Sequence, residues 1–379
     1  MFSIWEHEQF LQYDVVIIGS GITGLSTACS LLEKKPHLKV CLLERGQLPS
    51  GASTKNAGFA CIGSFTEKVH DLKMMGEDTF LELIEARMNG LLKLRSRVGD
   101  ANMEFEHHGG YELILPTMPS VSQDDLDAMN AVLYPLFKSE VFKLAPDKLK
   151  EFGFGNTRQL IYNWLEAQIN TGKMMRTLMQ RASSLGAHLM TGTEVLELSD
   201  TGKRIDIVCK SDMINRTIRL AAEKVAVCTN AFIPSLLPEI EVNPGRGQVI
   251  CTSAIPSLKF KGVFSIDEGY YYFRNYGNRV LLGGGRNLDF RAETTTEFGI
   301  HPLIHSRLLE YLNEIILPGE PYTIDYHWSG IMAFHPQKQP LVSMVKRGTW
   351  VAGRLNGMGV AIGSQVAENL ATSMLNETK

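Results

Sequence analysis

The sequence is short of several things, and each shortage excludes a class. Basic residues are not in excess: 38 Lys and Arg stand against 41 Asp and Glu, for a formal charge of −3. No cationic stripe is available to neutralise phosphate backbones, so nucleic acid is not expected as a partner. The first ten residues, MFSIWEHEQF, contain no lysine or arginine. They lack the basic start and apolar run of a secretory signal. Six cysteines, at positions 29, 41, 61, 209, 228 and 251, form no CxxC pair and no metal spacing. Several sit in apolar runs such as VAVCTN, which reads as reduced, buried thiols in a cytoplasmic protein without a metal. His301 and His305 lie four apart but have no third ligand in the pattern, and His107 and His108 have no partner at all. No internal repeat or low-complexity tract occurs. The one uncharged stretch long enough to suggest a membrane span, Val15 to Leu32, holds three glycines and changes period midway, so no integral membrane segment is expected.

What remains is an ordinary globular composition, 44% apolar and 21% charged over 379 residues, which at roughly 150 residues per domain implies about two domains. Residues 14–18 (DVVII) form a β-branched run suited to a buried strand. Glycines follow at 19, 21 and 24, then apolar residues at helical spacing as far as Pro36, then a second strand from Leu38 to Leu43. This is a βαβ opening. Further on, the pattern predicts a helix over Thr79–Val98, a strand over 110–116 and a surface connection near Ser120–Asp127. A helix over Lys173–Ser184 precedes a strand pair, Ala187–Leu198 and Arg204–Lys210, and a strand at Lys224–Val227. A hairpin is expected around Gly277-Asn278 and a helix near Pro302–Ile315. The last block returns to strand (Thr349–Ala352), glycine-rich loop and helix (Gly359 onward).

The chemistry begins at Gly19-Ser20-Gly21-Ile22-Thr23-Gly24, directly between strand and helix. The first glycine permits a tight turn, the second lets backbone approach a pyrophosphate, and the third lets the helix pack on the strand. An anion there meets the positive end of the helix. Glu44 lies 20 positions beyond Gly24, at the end of the next strand, where a carboxylate can accept both ribose hydroxyls and repel a 2′-phosphate. Arg45 follows it. A second loop, Gly51-Ala52-Ser53-Thr54-Lys55-Asn56-Ala57-Gly58-Phe59, offers hydroxyl and N–H groups to a pyrophosphate or a flavin ring, which an NAD domain does not need.

These motifs resemble the D-amino-acid-oxidase-like FAD-dependent oxidoreductases, a family that includes glycine oxidase, sarcosine oxidase and gamma-glutamylputrescine oxidase. The resemblance extends to 191–198 (TGTEVLEL), to 225–232 (VAVCTNAF), to 328–341 (WSGIMAFHPQKQPL) and to 353–360 (GRLNGMGV). Region 60–150 carries little of it. It implies FAD as cofactor, with Ser53, Thr54, Asn56, Ala57 and Gly58 near the coenzyme, the backbone of Val195 at the adenine, and Thr229 and Asn230 in place of the family's usual Ala-Gly. It also implies that Gly353, Arg354, Asn356, Gly357, Met358, Gly359 and Val360 close on the flavin. A reduced flavin gathers negative charge at its N1–C2=O edge, and the helix starting near Gly359 can present its N-terminus to that charge, with Arg354 as an added cation.

Substrate recognition is carried by fewer signals. In Gly269-Tyr270-Tyr271-Tyr272-Phe273-Arg274 alternate residues share a strand face, so Tyr270, Tyr272 and Arg274 are candidates for an aromatic and cationic wall. Arg286 is a second anion candidate. His335 and Lys338 follow the Trp-x-Gly motif, and Lys55 is a candidate to assist oxygen. Glycine-oxidase-like members carry a carboxylate-gripping arginine where this chain has Met332, which implies an anion read elsewhere or a plain amine.

The expected fold is α/β: a Rossmann-like, three-layer FAD domain (1–90, 151–235 and 325–379) with an antiparallel-sheet substrate domain (91–150 and 236–324). The expected function is oxidation of the C–N bond of an amine or amino acid, with oxygen or another electron acceptor re-oxidising the flavin. The alternatives are an FAD-dependent dehydrogenase of a 2-hydroxy acid or polyol phosphate, for which His335 is the candidate base, and a non-enzymatic flavin redox sensor.

Overall fold

Strand Gln12–Ile18 is apolar on both faces and is buried on both, as a central parallel strand must be. The computed structural model describes residues 2–211 and 216–377. It places this strand between Val40–Leu43 and Arg216–Val227, parallel to each, with Ile18 opposite both Leu43 and Val227. Thr349–Gly353 adds a further parallel strand beyond Val227. The carboxyl ends of strands from the start, middle and end of the chain therefore meet at one edge, where doubly wound sheets bind ligands. Helices Ile22–Lys34, Glu77–Val98, Thr171–Ser184 and Gly359–Asn376 cover one face of this sheet. A β-meander, Thr193–Asp200, Ile205–Ser211 and the first half of Arg216–Val227, covers the other. The three layers and the return of the chain's end to its start are as the sequence predicts.

The second sheet has eight strands, antiparallel except where Val263–Ile266 runs parallel to Gly110–Ile114. Strands Gln159–Asn163 and Ile324–Phe334 belong to it, although the sequence grouping assigns their segments wholly or largely to the cofactor domain. The expected hairpin is present: Tyr276 pairs with Arg279, and Gly277 takes a φ of 54° at the first turn position. Tyr271 and Phe273 bury one face of that hairpin in an aromatic core with Phe152, Phe154, Phe260 and Phe264.

Two expectations need correction. The stretch near Ser120–Asp127 is a connection only as far as Ser122, which caps helix Gln123–Phe137 through a reciprocal capping box with Asp125. The helix expected over Pro302–Ile315 is α-helical only for Pro302–Tyr311 and ends in a π-helical turn, Leu312–Ile316. Val15–Leu32 is strand, turn and helix, and no helix among the described residues is long and apolar enough to cross a membrane.

Helix Glu77–Val98 reaches the terminal helix through Gly90, where an added Cβ would lie 2.2 Å from the Ala361 carbonyl oxygen. Gly90→Ala should therefore destabilise the fold by about 1–3 kcal/mol despite alanine's better helix propensity. Urea unfolding of the two proteins measures this.

Candidate active site

The turn after the first strand is held by close packing. A Cβ on Gly24 would fall 1.9 Å from the Gly19 carbonyl oxygen, and one on Gly21 would fall 2.9 Å from Ser53 Oγ. Ser53 Oγ accepts the Ile22 N–H at 3.0 Å. Helix Ile22–Lys34 has no side-chain cap and no acidic residue in its first turn, so its remaining first-turn N–H groups are left for an anion. The terminal helix Gly359–Asn376 likewise has no side-chain cap and no first-turn acid, and its first residues line the same cavity. Glu44 is buried; its Oε2 accepts from Ser20 N (3.2 Å) and Ser20 Oγ (2.9 Å), and its Oε1 accepts from Gly46 N (3.0 Å). The carboxylate is thus fixed at the strand end with lone pairs to spare.

One cavity of about 730 Å³ joins these features. It runs from Gly19, Gly21, Ile22, Thr23, Glu44, Arg45 and Val195, past Ser53, Asn56, Ala57, Thr229 and Asn230, to Asn356, Gly357, Met358, Gly359 and Val360. It ends at Tyr270, Tyr272, Arg286, Met332 and His335. Thr229 Oγ1 is buried and has no hydrogen-bond partner among the described residues. Two uncapped helix ends, a fixed carboxylate and an unpaired hydroxyl along one cavity fit a dinucleotide with a second, redox-active ring system.

Several predicted residues do not line it. Ser20 turns its hydroxyl to Glu44, and Gly24 serves helix–strand packing. Thr54 Oγ1 donates to the Pro49 and Gly51 carbonyls within its own loop. Gly58 lies beneath Arg274, whose buried Nη1 donates to its carbonyl oxygen at 3.1 Å. Arg274 is therefore turned into the protein and away from the cavity, its Nε buried without a partner among the described residues, and burial holds its guanidinium down to about 10. Gly353 packs on Ile233. Arg354 directs Nε to the Glu241 carbonyl at 2.8 Å, away from the loop it was expected to charge. Asn56 organises its loop, accepting from Gly58 N and Thr171 Oγ1 and donating to the Ala52 and Ser53 carbonyls. His301 and His305 form no metal group, since none of three or more ligands exists among the described residues.

No motif marks the cavity's inner wall, which is acidic. Glu67, Glu112 and Glu166 line it, with Cys61 beside them. Glu112 accepts from Thr66 N (2.9 Å) and Thr66 Oγ1; Glu166 Oε1 accepts from Ile62 N (3.0 Å), Gly63 N (3.2 Å) and Asn163 Nδ2 (3.0 Å). Burial pushes both carboxyls up to about 7 against these bonds. Burial acts the same way on Glu67, but Lys68, Arg87 and Lys338 outweigh it and hold that carboxyl down to about 2. Lys338 is paired with Asp71 (2.5 Å) and Glu67 (3.7 Å), which accounts for its presence on the wall. Burial also pushes the Cys61 thiol well up. All six cysteines are unpaired.

The fold and the cavity together define a dinucleotide-binding oxidoreductase whose coenzyme end opens on a substrate chamber. The chain matches the DAO family, FAD dependent oxidoreductase, over residues 14–373 and belongs to it; FAD is its cofactor. It is 23% identical to a probable oxidoreductase OrdL of Rhizobium meliloti over 96% of this chain and 83% of that protein. Its fold is shared with L-proline dehydrogenase from P. horikoshii (TM-score 0.77, 15% identity, covering 97% and 95% of the two chains). It is shared also with glycine oxidase from Geobacillus kaustophilus (TM-score 0.75, 20% identity, covering 97% and 96%).

Two outcomes are expected. Glu44→Ala should weaken FAD retention about 10- to 100-fold, the worth of charge-assisted hydrogen bonds, as read by flavin release on dilution. Glu112 sits above its ordinary value of 4.5 in the native state. As pH rises from 4.5 to about 7, the unfolded chain loses this proton while the native protein keeps it, so stability falls across that window. Glu112→Gln should remove a part of this decline on the order of 2 kcal/mol, measured by denaturation at pH 5 and pH 8.

Proposed function

We propose that the protein oxidises the C–N bond of an amine or amino acid. The observation that carries this reading is the continuity of the cavity: the loop Asn356–Val360 at the start of the terminal helix opens directly on Tyr270 and Tyr272. FAD, held along Gly19–Thr23, Glu44 and Asn356–Val360, would supply the two-electron acceptor for the oxidation, and water would hydrolyse the imine product. The protein's part is to position and desolvate. Tyr272 lies in a fold of glycine: a Cβ on Gly283 would strike its ring at 2.7 Å, and Phe59 meets its ring edge-on at 5.5 Å. Burial pushes its hydroxyl up to about 12, so it stays a neutral donor. An aromatic wall of this kind suits an amine.

The amine must be neutral to lose hydride. Glu112 and Glu166, protonating near neutrality in the same cavity, are the groups that take up and release the ammonium proton. L-proline dehydrogenase and glycine oxidase, which share the fold, are named for amino-acid substrates. The acceptor is oxygen or an electron-transfer partner, and Lys55, which lines the cavity, is the residue we assign to assisting oxygen. The six unpaired thiols support a reducing, cytoplasmic setting.

Anaerobic mixing of the FAD-loaded protein with panels of amines, amino acids and hydroxy acids tests the reading. At least one amine or amino acid should bleach the flavin's visible absorbance. Bleaching by hydroxy acids alone would transfer the protein to alcohol oxidation with His335 as base. No bleaching by any panel would leave a redox sensor.

A further inference from the structure

Four cations line the cavity: Arg45, Lys55, Arg286 and Lys338. Lys338 is neutralised by Asp71 and Glu67. Arg45 adjoins Glu44 at the opposite end and stacks on Phe232 at 3.9 Å. Lys55 rests on Phe298. Arg286 is different in kind. Its Cζ lies 3.8 Å from the Phe334 ring centroid and 5.0 Å from that of Phe290. Its side chain makes no hydrogen bond or ion pair among the described residues, and its Nε is buried without an acceptor. Glu293, the acid whose charge acts on Arg286, is already taken by Arg246 through two bonds of 2.7 and 3.1 Å. Rings fix the guanidinium carbon but offer no acceptor, so a half-buried fork of donors faces the cavity unsatisfied.

Its position follows from strand periodicity. Gly245 and Gly247 are alternate residues of strand Asn243–Thr252 and share a face. A Cβ on Gly245 would meet Phe334 at 2.4 Å and Arg286 Nη1 at 3.1 Å; one on Gly247 would meet Met332 Cε at 2.8 Å and the Tyr272 hydroxyl at 3.9 Å. Met332 and Phe334 alternate likewise on the facing strand. Two side-by-side glycines thus form a floor on which Arg286 sits one strand step from Met332 and Tyr272.

We propose that Arg286 is the specificity-determining residue of this cavity, gripping a substrate carboxylate beside Tyr272 so that the substrate is an amino acid rather than a plain amine. The proposal rests on the amine-oxidation reading. An arginine edge takes a carboxylate with two parallel bonds, which neither Lys55 nor the tyrosines can match.

The test uses the FAD-loaded protein with acetate, propionate and benzoate as probes, each against its amide, and binding read by isothermal titration calorimetry. At least one carboxylate should bind the wild type at least 10-fold more tightly than its amide. Arg286→Met should weaken that carboxylate about 30-fold and leave the amide unchanged, while Arg286→Lys keeps part of the preference. Should Arg286→Met fail to load FAD, Arg286→Lys decides by losing at least 5-fold against the carboxylate alone. The proposal is overturned by a wild type that does not prefer carboxylates, by carboxylate binding that survives Arg286→Met, or by a preference lost instead in Lys55→Met. The parent reading fails separately: amines that do not bleach the flavin sink it even if carboxylates bind through Arg286, and bleaching that persists with unchanged selectivity in Arg286→Met sinks only the present inference.

Discussion

The structure depends on a helix that begins without a cap. Helix Ile22–Lys34 starts on a glycine, has no acid in its first turn, and receives one foreign hydroxyl, Ser53. Its orphan donors and its dipole demand negative charge at a point where the central strand ends. The neighbouring features are arranged around that demand. Gly24 lets the helix sit on the Gly19 carbonyl, Glu44 is tied to the same turn through Ser20, and the loop of Ser53 folds over it. The terminal helix repeats the device at the far end of the cavity. A coenzyme with an anionic middle and a ring system that becomes anionic on reduction satisfies both ends at once.

Much of this was legible because it is local. A glycine turn, an acid one strand later and a glycine loop before a helix are spacings along the chain, and spacings survive folding. Strand alternation was legible for the same reason: Tyr271 and Phe273 do enter the core while Tyr270 and Tyr272 face the cavity. Alternation gives a face but not a depth. Arg274 shares that face yet is drawn to the Gly58 carbonyl, a partner supplied by a segment more than two hundred residues away. Arg354 was misread in the same manner, since the Glu241 carbonyl that holds it belongs to another part of the chain.

The acidic wall was illegible for a stronger reason. Glu67, Glu112 and Glu166 come from a helix, a strand and a turn with no common spacing, and only Ser64, which caps the helix bearing Glu67, left a local mark. Their proximity is a product of the second sheet. Burial and counter-charge then divide them, Glu67 held ionised by three cations and the other two left near neutrality. Three carboxyls of one chamber are thus pushed in opposite directions, Glu67 down and Glu112 and Glu166 up, by their neighbours rather than by residue type.

The cofactor sheet is woven from distant parts of the chain: Gln12–Ile18 pairs with Arg216–Val227, which pairs with Thr349–Gly353, and Gly359–Asn376 lies on Ile22–Lys34. During synthesis the apolar first strand can meet Val40–Leu43 early, but its other edge waits for Arg216–Val227, about two hundred residues later. Closure of so non-local a sheet is intrinsically slow, and the strand edge stays open to other chains while it waits. The coenzyme cradle is complete only when residues 355–361 have joined the turn at Gly19–Gly24, so the two ends of the site, more than three hundred residues apart in the chain, are brought together by folding alone.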